Sequence, residues 1–360
     1  MRLIHTADLH LDSVMTRNLD RTKAHERRRE LLETFVRMVE YASEKQVRAI
    51  LIAGDMFDTP AVSKGTRQEV LYTMENHPQI DFLYLRGNHD GDGFLSSMDS
   101  YPANLKLFGP SWTSYRYGDV VITGAELGGA NAETLPDSLI LEKKDTNIVM
   151  LHGQLTGYAS TGEAAETISM PGLKGRGIDY LALGHIHSYA EGRIDERGRY
   201  CYCGCPEGRG FDETGRKGFV LLDADGGEVR STFIPFASRQ IVEVPVDVSD
   251  ALTTLEAVDI IAGADLPADG RDLVKLTLKG QLSPEADLDI VSIGRQFEDR
   301  YYSLRVKDET TLRINYEDYR YDHSLKGEFI RRVLSSGEDE EVQRQVIRCG
   351  LKALSGENIV

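Results

Sequence analysis

The chain has 360 residues, 28% of them charged and 41% hydrophobic, enough for a large domain and a smaller one, each with its own core. No run is apolar for the length that spans a bilayer, and the start MRLIHTADLH lacks the basic region, apolar run and cleavage site of a secretory signal, which predicts a cytoplasmic protein without membrane association. A net charge of −16 excludes a broadly basic surface that grips nucleic acid non-specifically, while leaving room for a local anion site.

In chain order, strands are predicted within RLIHTADLH (2–10), VRAILIAGD (47–55), DFLYLRGNHD (81–90), DVVITGAEL (119–127), NIVMLHG (147–153) and YLALGHIH (180–187). Between the first two, Leu31, Leu32, Phe35, Val36 and Val39 recur at helical spacing, and a second helix is predicted from about Thr66 to Asn76. This alternation predicts an α/β domain with parallel strands. After residue 199 the texture becomes strand and hairpin, in RYCYCGCP, GFVLLDADGGEV and RSTFIPF, which closes a first domain at residue 237. A second domain over 238–321 carries IVEVPVDVSD, LVKLTLKG and YYSLRVKD. Residues 322–360 read as two amphipathic helices, Ser324–Leu334 and Val342–Leu354, the second opened by Ser336, Asp339, Glu340 and Glu341.

Three of the four cysteines, Cys201, Cys203 and Cys205, alternate on one strand face without the CxxC spacing of zinc sites, and are expected to be small buried thiols of a reducing compartment. The basic groups Arg27 to Arg29, Lys174 with Arg176, and Arg209, Arg216 and Lys217 are expected on solvated faces.

Five strands end in polar residues: Asp8-Leu9-His10, Gly54-Asp55-Met56-Phe57-Asp58, Gly87-Asn88-His89-Asp90, His152-Gly153 and Gly184-His185-Ile186-His187. Ligands of open α/β sheets sit beyond the carboxyl ends of the strands, so these endings are expected to converge on one rim. His185 and His187 leave a strand on one side while Ile186 points to the core. Carboxylates, imidazoles and one carboxamide, with no thiolate, suit borderline divalent metals. Seven such ligands with one bridging carboxylate suit two ions roughly 3.5–4 Å apart, the spacing that clamps an in-line displacement at phosphorus.

The set DLH, GDMFD, GNHD, HG and GHIH resembles the calcineurin-like metallophosphoesterase superfamily. More narrowly, HTADLHLD and CGCPEGRGFDETGRKGFVLLD resemble the SbcD-type DNA exonucleases, prokaryotic relatives of the nuclease that begins double-strand-break repair in eukaryotes. The resemblance implies a two-sheet αββα sandwich, a smaller α+β capping domain that positions DNA, and C-terminal helices. It implies that Asp8, His10, Asp55 and His187 hold one metal and Asp55, Asn88, His152 and His185 a second, Mn²⁺ in each, with Asp55 bridging. His89 is then the residue that stabilises charge on phosphate and protonates the leaving oxygen. Asp58 either orients His89 or caps the turn before Thr59-Pro60, with Asp90 a second candidate for orienting it. GRGFDE resembles the family's late motif and places Arg209 at the substrate, although CGCP departs from the usual Gly-Ser-Pro. The implied partners are DNA, an SMC-like ATPase (SbcC or a counterpart) docked on the C-terminal helices, and a second copy paired through helices of the nuclease domain. The alternatives are a small-molecule phosphodiesterase or phosphatase of the same superfamily, or a non-catalytic scaffold. GDMFDT and GNHD lack the flanking residues of phosphoprotein phosphatases, and a scaffold would have lost ligands.

Overall fold

A computed structural model describes the chain except residues 16–18, 60, 97–99, 130, 133, 159–165, 269, 284–285, 314–318, 320 and 355–360. It divides into two compact units, Met1–Ile241 and Val242–Val360. Among the described residues no helix is long and apolar enough to cross a membrane.

The first unit contains β1 (Arg2–Thr6), β2 (Ala49–Ala53), β3 (Asp81–Leu85), β4 (Leu105–Leu107), β5 (Thr113–Tyr117), β6 (Val120–Gly124), β7 (Thr146–His152), the two-residue strands β8 (Gln154–Leu155) and β9 (Thr167–Ile168), β10 (Tyr180–Gly184), β11 (Ala190–Arg193), β12 (Arg199–Tyr202), β13 (Gly218–Asp225) and β14 (Glu228–Pro235). They form two six-stranded sheets, ordered β14-β13-β1-β2-β3-β4 and β11-β12-β10-β7-β6-β5. Strands β1 to β4 run parallel, as do β12, β10, β7 and β6, and antiparallel strands lie at every edge except that of β4.

Alternation along the strands builds three apolar layers. Ile4, Ile50, Ile52, Phe82 and Tyr84 face α1 (Arg21–Glu44) and α2 (Lys64–Glu75), which contribute Leu31, Phe35, Met38, Val39, Val70 and Met74. Leu3, Leu51 and Leu83 turn the other way and pack against Ile122, Ile148, Met150 and Ala182 of the second sheet. Burying both faces explains why these strands read as continuous apolar runs. The ends of α1 and α2 follow capping chemistry: Asp20 accepts from the amides of Thr22 and Lys23, and Ser63 from that of Thr66.

The outer face of the second sheet, Val149, Leu151, Leu181, Leu183 and Tyr202, is covered by Leu135, Leu139, Leu155, Ile168, Leu173 and Ile178. These sit mainly on loops, with a 3-10 turn at Pro136–Ser138 and one helical turn at Met170–Leu173. Two packed sheets with covering layers on their outer faces are the expected two-sheet sandwich.

Cys201, Cys203 and Cys205 are buried, the first two between the sheets. Burial pushes the Cys201 thiol up to about 12. The solvated-face expectation fails at two basic residues, Arg27 and Lys217, both buried. Arg27 can enter the core because its guanidinium donates to the equally buried Glu207.

The second unit carries β15 (Ile241–Asp247), β16 (Leu273–Lys279), β17 (Gln281–Leu282), β18 (Ser303–Asp308) and β19 (Thr311–Leu312). Its three-stranded sheet β15-β16-β18 packs on the helices Thr254–Ala262 and Ile290–Phe297 through Val246, Ile261, Leu276, Leu278, Ile293 and Phe297. The helices Leu325–Leu334, capped by Ser324, and Glu340–Leu354 join through Ile330, Ile347 and Leu351, with Leu312 and Tyr319 against them. The helices lie within the range of the second compact unit. The first unit ends at Ile241, four residues beyond the expected 237. The extension is held because the Ser238 amide donates to Glu207 at 2.6 Å and the Gly215 amide to the Ile241 carbonyl at 3.0 Å.

Candidate metal centre

The turns after β1, β2 and β3 of one sheet meet those after β7 and β10 of the other. The meeting is close because Gly54 and Gly184 carry no side chain: a Cβ on either would collide with the His152 ring, and one on Gly184 also with the Ala53 carbonyl. Among the described residues, the non-glycine positions with φ in the left-handed region are Asp8, His10, Asp12, Gln46, Asp55 and His185. Four of these are predicted ligands. Such backbone is costly for residues with a Cβ and persists where surrounding structure enforces it. The Asp8 carboxylate supplies part of that enforcement by accepting from the His185 amide at 2.9 and 3.1 Å.

In one half of the site, His10 Nε2 and His187 Nε2 lie 3.1 Å apart, and Asp8 joins them in a group whose ligand atoms all fall within 4.8 Å of one another. His10 Nδ1 is 3.1 Å from Asp58 Oδ1, and His187 Nδ1 is 2.8 Å from Glu213 Oε1. A carboxylate beside each Nδ1, hydrogen-bonded at His187 and in close charge contact at His10, favours the proton there and a lone pair on each Nε2 facing the other. Two acceptors at that distance fit a shared cation, and this donor set fits a divalent metal. Despite burial, which works the other way, His10 and Arg209 hold Asp58 down to about 2. Burial likewise opposes ionisation of Glu213, and His187 and Arg209 outweigh it, holding the carboxyl well below its usual range.

In the other half, His152 Nδ1 is fixed 2.8 Å from the Ala53 carbonyl, while its Nε2 lies 3.0 Å from Asn88 Oδ1 and 3.3 Å from Asp55 Oδ2. Burial disfavours charge on this ring, yet Asp55 and Asp8 raise it to about 9, and the same field attracts any cation. Asp55 Oδ2 is also 3.9 Å from His10 Nε2, so one carboxylate oxygen faces both halves, as a bridge requires. Its Oδ1 accepts from the His89 amide at 2.9 Å. The His185 ring centroid is 5.8 Å from that of His152, but His185 joins none of the tight groups. Asp8, His10, Asp55, His152 and His185 are buried, while Asn88 is exposed and His89 and His187 half-buried, so the opening lies on the side of the last three.

Three further candidates take these places in the structure. Asp58 serves His10: its carboxylate is placed against His10 Nδ1 and accepts from Arg209 at 2.7 Å, although Asp58, His10 and His89 also form a 4.8 Å group. Pro60, part of the turn that Asp58 was expected to cap, lies outside the described residues. Asp90 is a backbone clamp that accepts from the amides of Gly87, Phe57 and Met56 and so ties two site loops together. Arg209, expected at the substrate, places its guanidinium between Asp58 and Glu213. The sequence reading missed Glu213, Glu207 and Asp12. Asp12 anchors the loop bearing His10 by accepting from the Ser63 amide and the Thr66 hydroxyl at the start of α2. The one available signal for Glu213 was its opposite charge four residues after Arg209.

The model of the calcineurin-like phosphoesterase family matches residues 1–189, just over half of the chain. Among curated proteins, the DNA double-strand break repair protein Mre11 of Sulfolobus acidocaldarius is 22% identical over 344 residues, covering 88% of this chain and 87% of that protein. Solved structures with a similar arrangement include GAP50, the anchor in the inner membrane complex of Plasmodium, at 13% identity and TM-score 0.44, covering 67% of this chain and 86% of that one. TT1561 of Thermus thermophilus is likewise 13% identical, with TM-score 0.43 over 64% of this chain and 98% of that one. The family match spans every segment from Asp8 to His187, and the chain belongs to the calcineurin-like phosphoesterase family.

Proposed function

We propose that the protein is a metal-dependent DNA exonuclease of the SbcD type that hydrolyses phosphodiester bonds during DNA repair. The observation that carries this reading is the correspondence with Mre11 over 87% of that protein, which takes in the second unit as well as the phosphoesterase unit. A small-molecule phosphodiesterase has no need of such an addition.

Asp8, His10, Asp55 and His187 would hold one divalent ion and Asp55, Asn88, His152 and His185 another, with Mn²⁺ the expected metal. When bound, such ions supply Lewis-acid polarisation of the phosphoryl group and activation of water near neutral pH. The chain's own residues do the rest. Asp8, Asp55, Asp58 and Glu213 concentrate negative charge that suits cations and repels a bare phosphate. The His89 backbone is tied to Asp55, which leaves its half-buried imidazole at the opening, where it hydrogen-bonds the phosphate and protonates the leaving oxygen.

DNA is the proposed substrate, and an SMC-like ATPase the proposed partner of the C-terminal helices. Those helices keep Leu325, Val342, Val346 and Leu354 exposed while Ile330, Ile347 and Leu351 pack inward. Pairing of two copies through the nuclease unit belongs to the same proposal.

Purified protein with Mn²⁺, assayed on end-labelled DNA beside bis-p-nitrophenyl phosphate and a phosphopeptide, tests the reading. Shortening of DNA from its ends is expected. Turnover of the small diester or the phosphopeptide with DNA left intact would favour the small-molecule or phosphatase alternative.

A further inference from the structure

We infer that Arg209 and Glu213 are positioning residues for the His10–His187 half of the metal centre and set metal affinity there without setting it at the half built on His152. The inference rests on the metal-centre reading. Five side chains form an arch. Arg209 Nη1 donates to Asp58 Oδ1 at 2.7 Å, and that oxygen lies 3.1 Å from His10 Nδ1. On the other arm, Arg209 Nε donates to Glu213 Oε1 at 2.8 Å, and that oxygen lies 2.8 Å from His187 Nδ1. The Arg209 amide closes the arm by donating to Glu213 Oε2 at 2.7 Å. One planar guanidinium therefore fixes two carboxylates, Glu213 hydrogen-bonded to His187 and Asp58 in close charge contact with His10 Nδ1, and the two Nε2 atoms converge at 3.1 Å.

His152, in the other half, is held by a different contact. His152 Nδ1 meets the main-chain carbonyl of Ala53 at the end of β2, whose place is set by the sheet. Loss of Arg209 or Glu213 thus frees the ring orientations in one half alone. Lysine cannot substitute, because an ammonium on a flexible stem does not hold two carboxylates in a fixed fork.

The test is Mn²⁺ titration of the chelator-treated full chain, with free Mn²⁺ read by electron paramagnetic resonance, on wild type, Arg209→Lys, Glu213→Leu and Glu213→Gln. Thermal melting without metal is measured in parallel. One of two sites is expected to weaken by about 10–100-fold in Arg209→Lys and Glu213→Leu, the range for losing a residue that orients a metal ligand, while the second site keeps its affinity. Glu213→Gln, whose amide oxygen still accepts from Nδ1, should fall between wild type and Glu213→Leu. Two sites of wild-type affinity in all variants, or equal loss at both together with a lower melting temperature, would overturn the inference. Wild-type protein that binds fewer than two ions overturns the metal-centre reading itself, and the inference with it.

Discussion

Glu207 and Arg27 are both fully buried, and Glu207→Ala is the substitution expected to harm the phosphoesterase unit most outside the metal centre. Glu207 accepts from Arg27 Nη2 at 2.9 Å, from the Thr34 hydroxyl at 3.1 Å and from the Ser238 amide at 2.6 Å. Truncation to alanine leaves the Arg27 guanidinium without its buried counter-ion, with Glu30 and the Gly208 carbonyl as its remaining partners. Breaking a buried pair from one side costs about 3–5 kcal/mol; Glu30 stays on Arg27 and offsets part of this while the stranded amide and hydroxyl add to it, which leaves the middle of that range. For a unit of this size, about 4 kcal/mol corresponds to a fall in melting temperature of about 8–16 °C. Replacing both residues with leucine removes the charges together and should recover the part of the loss due to the uncompensated charge, while the Ser238 amide and Thr34 hydroxyl stay without Glu207. Urea unfolding in chelator of wild type, Glu207→Ala, Glu207→Leu, Arg27→Leu and the double leucine variant measures the loss and the cycle. If Glu207→Ala costs under about 1 kcal/mol, or the double variant is less stable than either single one, the buried pair between α1 and Glu207 does not carry this stability.

His89→Ala should keep its metal while turnover falls by about 10²–10⁴-fold, read by elemental analysis beside initial rates; loss of metal would make His89 a ligand. Burial pushes His5 down to about 3, its Nδ1 lying 2.9 Å from the Tyr180 hydroxyl. The folded value is below the ordinary one of about 6.5, so the stability from a neutral His5 is complete above that pH and is lost as pH falls toward 3. The gap in unfolding free energy between wild type and His5→Gln should therefore narrow by about 1.4 kcal/mol per pH unit below 6.5, and a gap constant from pH 6.5 to 5 would refute this. Truncation after Tyr321 removes Ile330, Ile347 and Leu351 from a cluster separate from both large cores, so the phosphoesterase unit should melt unchanged while co-purification with the ATPase is lost. An unchanged association would end the docking proposal.

Much of the centre was legible because two independent signals coincide. The runs LIHT, ILIA, FLYL and LALG read as buried parallel strands, and each is followed by a residue type that a core does not tolerate unpaired. What escaped was set by pairing across long sequence separations. Arg27 looked like part of a solvated basic face because its partner lies 180 residues away. Glu213 and Asp90 sit in loops without periodicity, and their roles depend on which amides and rings arrive from other strands. The division into two sheets was also hidden from local pattern, since a strand buried on both faces reads alike in one sheet or two; the motif resemblance supplied it.

The most direct test of the account is anomalous diffraction from crystals of the full chain grown with Mn²⁺, for wild type and Asp55→Ala. Two peaks roughly 3.5–4 Å apart, one beside His10 and His187, one beside Asn88 and His152, with Asp55 between them, are predicted for wild type. Asp55→Ala should lose both. A single peak in wild type, or two peaks that persist without Asp55, would contradict a centre bridged by that carboxylate.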